Sequence, residues 1–152
     1  MTSLVIPKFE AKQVGQVIAT IKVANRIDQV MAERGFISTA EVRSFVLNDV
    51  LVDTGATLLG LPTPVIESLG LVRGSSTGVE TTAGIQQGWI FRDVDLEISG
   101  RRGTFDCLEL TNVNYALLGV TPMEILGLEP DFQNQKLRVL PMTSEQTYLS
   151  VL

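Results

Sequence analysis

A short apolar run, Val50-Leu51-Val52, leads straight into Asp53-Thr54-Gly55-Ala56. This junction constrains the chain more than any other stretch. The three apolar residues are strand formers, and an ionisable carboxyl at the end of a buried strand is expensive unless something holds it. Gly55 lets the backbone turn where a side chain would clash, and the hydroxyls of Thr54 and Thr57 can satisfy nearby polar groups. The local expectation is a carboxyl presented on a tight loop by a rigid strand. Asp-Thr-Gly is also ordinary turn chemistry, so its meaning depends on the rest of the chain.

Strand patterns surround it. Residues 16–24 alternate, with Val17, Ala19, Ile21 and Val23 on one side, as a half-buried strand would. Asn25 can cap a short helix carrying Ile27, Val30 and Met31, which Gly35 can end; a hairpin connection with one helical turn is the alternative. Residues 41–52 are strand-rich and interrupted at Asn48-Asp49 by a bulge or a turn. Gly74-Ser75-Ser76-Thr77-Gly78 reads as flexible. Residues 79–88 read as two strand-like arms around a glycine-containing tip, and Trp89-Ile90-Phe91 opens a strand along which Val94, Leu96 and Ile98 alternate. Trp89 reads as core or support for that hairpin. Gly100-Arg101-Arg102-Gly103 reads as a turn with solvated charges, Leu137 to Pro141 as a last strand, and Tyr148 to Leu152 as a further strand in the tail.

One segment echoes another. Thr63-Pro64 leads to Leu69-Gly70-Leu71, and Thr121-Pro122 leads to Leu126-Gly127-Leu128. In each, threonine is the expected N-cap, proline sits in the first turn and glycine stops the helix. The expected repeat unit is strand, loop and short helix, used twice.

Composition narrows the chemistry. The 152 residues fit one domain, and a 45% hydrophobic content supplies a core. A net charge of −5 argues against a nucleic-acid partner. No histidine is present, which removes Ser-His-Asp and Cys-His catalysis and most zinc sites. The single cysteine, Cys107, reads as a small core residue, and the lack of a disulfide framework fits a reducing, cytoplasmic setting. Met1 to Glu10 shows no signal-peptide pattern, and no stretch is long enough and apolar enough to span a membrane. Asp93, Asp95 and Glu97 alternate along one strand and read as a solvated face rather than a calcium site. No metal or cofactor is called for.

In this company the chain resembles the retropepsin-like aspartic protease family. Three features carry the resemblance: the apolar strand into Asp53-Thr54-Gly55-Ala56, a flap-like hairpin with Thr82-Ala83-Gly84 near its tip, and Leu117-Leu118-Gly119 followed directly by a short helix. It covers roughly residues 16–141, leaving 1–15 as an arm and 142–152 as a tail. It implies an all-β, mainly antiparallel, closed barrel-like fold with one or two short helices. It also implies a homodimer, each chain giving one Asp-Thr-Gly loop; a second such motif is absent, so one chain cannot build a carboxylate pair in this way. By the same resemblance Asp53, Thr54 and Gly55 are the catalytic residues. Ala56, Thr82, Ala83, Gly84, Ile85, Leu118 and Val120 are expected to contact an extended peptide or protein substrate. A non-catalytic dimerisation or peptide-binding module is the alternative, because a fold does not guarantee its chemistry.

Overall fold

The computed structural model describes residues 16–141. The expected arm, 1–15, and the tail with its expected strand at Tyr148 to Leu152 lie outside the described residues.

Alternation places the first strand as expected. In β1 (Ile18–Asn25) Ala19, Ile21 and Val23 are buried, with Val17 just before them. Asn25 ends the strand and caps α1 (Arg26–Glu33): its side-chain oxygen accepts from the Asp28 N–H at 3.0 Å. The chain returns through a 3-10 turn, Thr39–Glu41, into β2 (Ser44–Val52). Asn48-Asp49 is a bulge within one continuous strand. Asp49 has φ 56°, and the register with β1 slips between Ala19↔Val50 and Ile21↔Leu47.

After the Asp53 loop come β3 (Leu59–Pro62), α2 (Thr63–Leu69), β4 (Val72–Thr81), β5 (Gly84–Ile98), β6 (Arg101–Leu110), β7 (Leu117–Leu118), α3 (Val120–Leu126), β8 (Leu128–Asp131) and β9 (Lys136–Val139). The fold is mainly antiparallel β. Three short helices are present where the resemblance implied one or two. Residue patterns had pointed to all three; α2 and α3 bury apolar side chains against the strands, whereas α1 buries only Asp28 and leaves Ile27 and Met31 exposed.

The pairings close on themselves. β1 pairs with β2, β2 with β7, β7 with β3, β3 with β6, β6 with β5, and β5 again with β1. β4 is added outside this ring, on β5, and β8–β9 form a separate two-stranded sheet. The pattern has an internal twofold logic. Exchanging β1, β2 and β3 for β5, β6 and β7 leaves every pairing of the ring unchanged, and in this sheet only β4 breaks the match. The hairpins β1–β2 and β5–β6 are antiparallel; β2–β7 and β3–β6 are parallel. A short helix follows β3 in one half and β7 in the other. The expected repeat is therefore present in the topology.

Inside the ring, Leu47, Val50, Leu59, Leu61, Val94, Leu96 and Leu118 are fully buried, and α2 and α3 add Val65, Leu69, Met123 and Leu126. Cys107 belongs to this core. Burial first, then the neighbouring Asp106 and Glu109 carboxylates, push its thiol up to about 12.

Several expectations are corrected. Gly74 to Gly78 lies in β4 rather than in a flexible link, because backbone pairing with β5 replaces the missing apolar side chains. The helix N-caps are Pro62 and Gly119, one or two residues before the expected threonines; Thr63 Oγ1 instead donates to Glu109 at 2.8 Å. Both helix stops are as expected, with Gly70 (φ 64°) and Gly127 (φ 67°) left-handed. The turn between β5 and β6 is Ser99-Gly100, both at positive φ, which suits the twist of a two-residue hairpin.

Arg101 and Arg102 are not solvated turn charges. Arg101 donates to the carbonyls of Leu126, Gly127 and Leu140, and Arg102 pairs with Asp95 at 3.1 Å. Asp95 is buried, and Asp93 occupies a bulge at φ 63°, so the acidic alternation is not one solvated face.

Candidate active site

The Asp53 loop is built by its neighbours. The parallel pairing of β2 with β7 sets Val52 beside Leu118, and the Asp53 N–H donates to the Leu118 carbonyl at 3.0 Å. The Ala56 N–H closes the turn onto the Asp53 carbonyl at 3.1 Å. The far side of the loop is tied to the start of α3. Val120 and Thr121 donate their N–H groups to the carbonyls of Ala56 and Thr57, both at 2.9 Å. These contacts satisfy loop carbonyls and two of the otherwise unpaired first N–H groups of α3 at once.

Gly119 makes this approach possible. A Cβ there would collide with the Leu58 carbonyl oxygen and meet the Ala56 carbonyl oxygen at 2.8 Å. Leu117-Leu118-Gly119 therefore acts as a strand end and a backbone-to-backbone contact against the Asp53 loop.

The carboxyl is half-buried, and Thr54 and Gly55 are exposed. Asp53 Oδ1 accepts the Gly55 N–H at 2.8 Å. This bond holds one carboxyl oxygen against the loop backbone. Oδ2 has no hydrogen-bond partner among the described residues.

Facing Asp53 is the β4–β5 hairpin. Thr81 pairs with Gly84 around a tip of Thr82 and Ala83, and Gly84 has φ 103°. Thr81 Oγ1 accepts the Ala83 N–H at 3.2 Å and donates to the Gly84 carbonyl at 2.8 Å, so the tip is internally braced. At its base Arg73 stacks over Trp89, 4.1 Å from the ring centroid, which gives Trp89 the supporting place expected of it. An open cleft of about 720 Å3 lies between hairpin and loop, lined by Asp53, Glu80, Thr81, Thr82, Gly84, Ile85 and Tyr115.

Asp53, Thr82, Gly84 and Ile85 thus share one cleft. Ala83 is exposed at the tip, and Thr54, Gly55 and Ala56 form the loop beside Asp53. Leu118 and Val120 are elsewhere. The Leu118 side chain is fully buried in the core, and Val120 begins α3 without lining the cleft. Leu118 is internal because its side chain points from β7 into the core, where its exposure is 0%.

Glu80, Thr81 and Tyr115 line the cleft and were not singled out in the sequence. Tyr115 arrives through the loop between β6 and β7, the topological counterpart of the Asp53 loop. That counterpart carries Thr111, Asn112, Val113 and Asn114, with no carboxyl.

No group of three or more metal-ligating side chains occurs among the described residues, and no helix there is long and apolar enough to cross a membrane. No protein-family model matches the chain, and no curated protein matches it. Among solved structures it is similar to "EIAV protease complexed with the inhibitor HBY-793". The two are 19% identical, with 79% of this chain and 94% of that chain covered and a TM-score of 0.47.

Proposed function

We propose that residues 16–141 form a retropepsin-like domain that hydrolyses peptide bonds as a homodimer, each chain giving one Asp53-Thr54-Gly55 loop. One observation carries this: a half-buried carboxyl with a free oxygen, on a loop fixed by backbone contacts, faces a braced hairpin across an open cleft. The cleft of one chain holds one such loop, and the counterpart loop of the other half has no carboxyl. A second copy supplies the missing group.

In the dimer the two Asp53 carboxyls face each other and share a proton, since like charges that close do not both ionise. The ionised member takes a proton from a water, which attacks the scissile carbonyl carbon. The protonated member polarises the carbonyl oxygen, and a proton then passes to the leaving amine as the carbon–nitrogen bond breaks. The titration belongs to the pair. Thr54, exposed beside Asp53, hydrogen-bonds across the twofold axis. Gly55 and Ala56 let backbone and substrate approach. The Thr82-Ala83-Gly84-Ile85 arm closes over an extended peptide, pairs with its backbone and excludes water. Leu118 and Val120 act from below: Leu118 through its carbonyl on Asp53, Val120 through its N–H on Ala56.

The test is cleavage of an unfolded protein at high protein concentration, scanned from acidic to neutral pH. The expected result is cutting by wild type, inhibition by pepstatin-type compounds, and no cutting by Asp53→Asn. Adding excess Asp53→Asn to wild type suppresses activity, because mixed dimers carry one carboxyl. Folded dimers that cut nothing at any pH overturn the peptidase reading in favour of a peptide-binding module.

A further inference from the structure

We propose that Glu80 makes this cleft select peptides carrying a lysine or arginine side chain; the inference rests on the peptide-binding part of the function proposed above. The cleft wall holds two carboxylates, Asp53 and Glu80, and no cationic side chain. Among the described residues, no hydrogen bond or ion pair occupies the Glu80 carboxylate. The nearest arginines on the same hairpin, Arg73 and Arg92, lie at its base, and Arg73 is engaged with Trp89.

Glu80 also has a suitable neighbour. It stands directly opposite Ile85 in the β4–β5 register, and Ile85 is 78% exposed. Directly opposed residues lie on one face of a hairpin, close enough for one ligand side chain to touch both. An isolated carboxylate would suit any small cation, and an isolated isoleucine any apolar residue. The two together fit a side chain with an apolar stem and a charged head, as lysine and arginine have. Thr81 and Thr82 add hydroxyls that can accept from an ammonium or guanidinium. The chain's net charge of −5 favours approach of a basic peptide.

The experiment separates this from the chemistry. Fluorescent peptides identical except for Lys, Gln or Glu at successive positions are bound to Asp53→Asn, which cannot cut them, and binding is followed by anisotropy at low and high salt. The expected result is a preference for Lys over Gln of about tenfold at one position, weakening with salt. In Asp53→Asn/Glu80→Gln that preference disappears, and in Asp53→Asn/Glu80→Lys it reverses toward Glu. Circular dichroism on each variant confirms the fold. Equal binding of Lys and Gln peptides, or a Lys preference that survives Glu80→Gln, overturns the inference. If wild type cuts no substrate while the Lys preference holds, the peptidase reading fails and the specificity stands.

Discussion

Gly119 shows how one missing side chain sets the position of a carboxyl loop. Its φ of −89° is open to any residue, so the requirement is space rather than backbone strain. Gly119→Ala forces a methyl group against the Leu58 and Ala56 carbonyls and should lower stability by about 1–3 kcal/mol, read as a fall in the urea midpoint. Because the same contact holds the Asp53 loop, the proposed cleavage activity should fall further than stability explains. Cys107 makes the opposite case of a reactive type made inert. With its thiol pushed up to about 12 by burial, it should resist a disulfide reagent at pH 8 in the native protein and react once the chain is unfolded in urea. Asp28 is held below the usual carboxylate range, first by the side-chain hydrogen bond from Arg43 and against the opposing effect of burial. A depressed folded value means stabilisation that is complete above the ordinary 3.8 and is lost as pH falls through the folded value. The gap in urea midpoint between wild type and Asp28→Asn should therefore be full at pH 6 and shrink below pH 3.8.

Elements were legible where one of their faces is buried. β1 showed its alternation, and the glycine stops of α2 and α3 were correct. The Asp53 turn was visible because strand formers run straight into it. Only the end of β4, residues 79–81, was legible, as one arm of the hairpin; the rest leans on β5 at the edge with most side chains exposed, and Gly74-Ser75-Ser76-Thr77-Gly78 carries no apolar alternation. β8 was missed because Leu128-Glu129-Pro130-Asp131 has one buried residue and a proline, yet it pairs with β9. In the site, Asp53 and the hairpin tip could be read, but Glu80 and Tyr115 enter the cleft only through register and the path of the loop after β6. Leu118 lay in the motif expected near the site, and only the packing of β7 against the core shows that its side chain is internal. Arg101 looked like turn decoration and is a clamp. Arg101→Ala should raise deuterium uptake across residues 128–139, and Arg101→Lys should recover only part of the protection, since one ammonium cannot reproduce a planar fork reaching three carbonyls.

Across the whole molecule, two half-units of matching topology carry unequal chemistry: one ends in a carboxyl loop, the other in a loop that offers Tyr115 to the cleft wall. Under the proposed homodimeric peptidase reading each copy brings one Asp53, so specific activity should rise with protein concentration and level off as pairing saturates, which dilution followed by an initial-rate assay will show. The β1–β5 pairing that completes the ring has a separate consequence, in time rather than in space. Its partners, Lys22↔Glu97 through Asn25↔Val94, are about 70 residues apart in the chain, so β1 waits several seconds for this second neighbour at ordinary elongation rates. Throughout that interval one edge of β1 is open, with Ile21 and Val23 beside it. Nascent chains stalled before residue 94 should therefore engage chaperones or aggregate, and those extended past it should not.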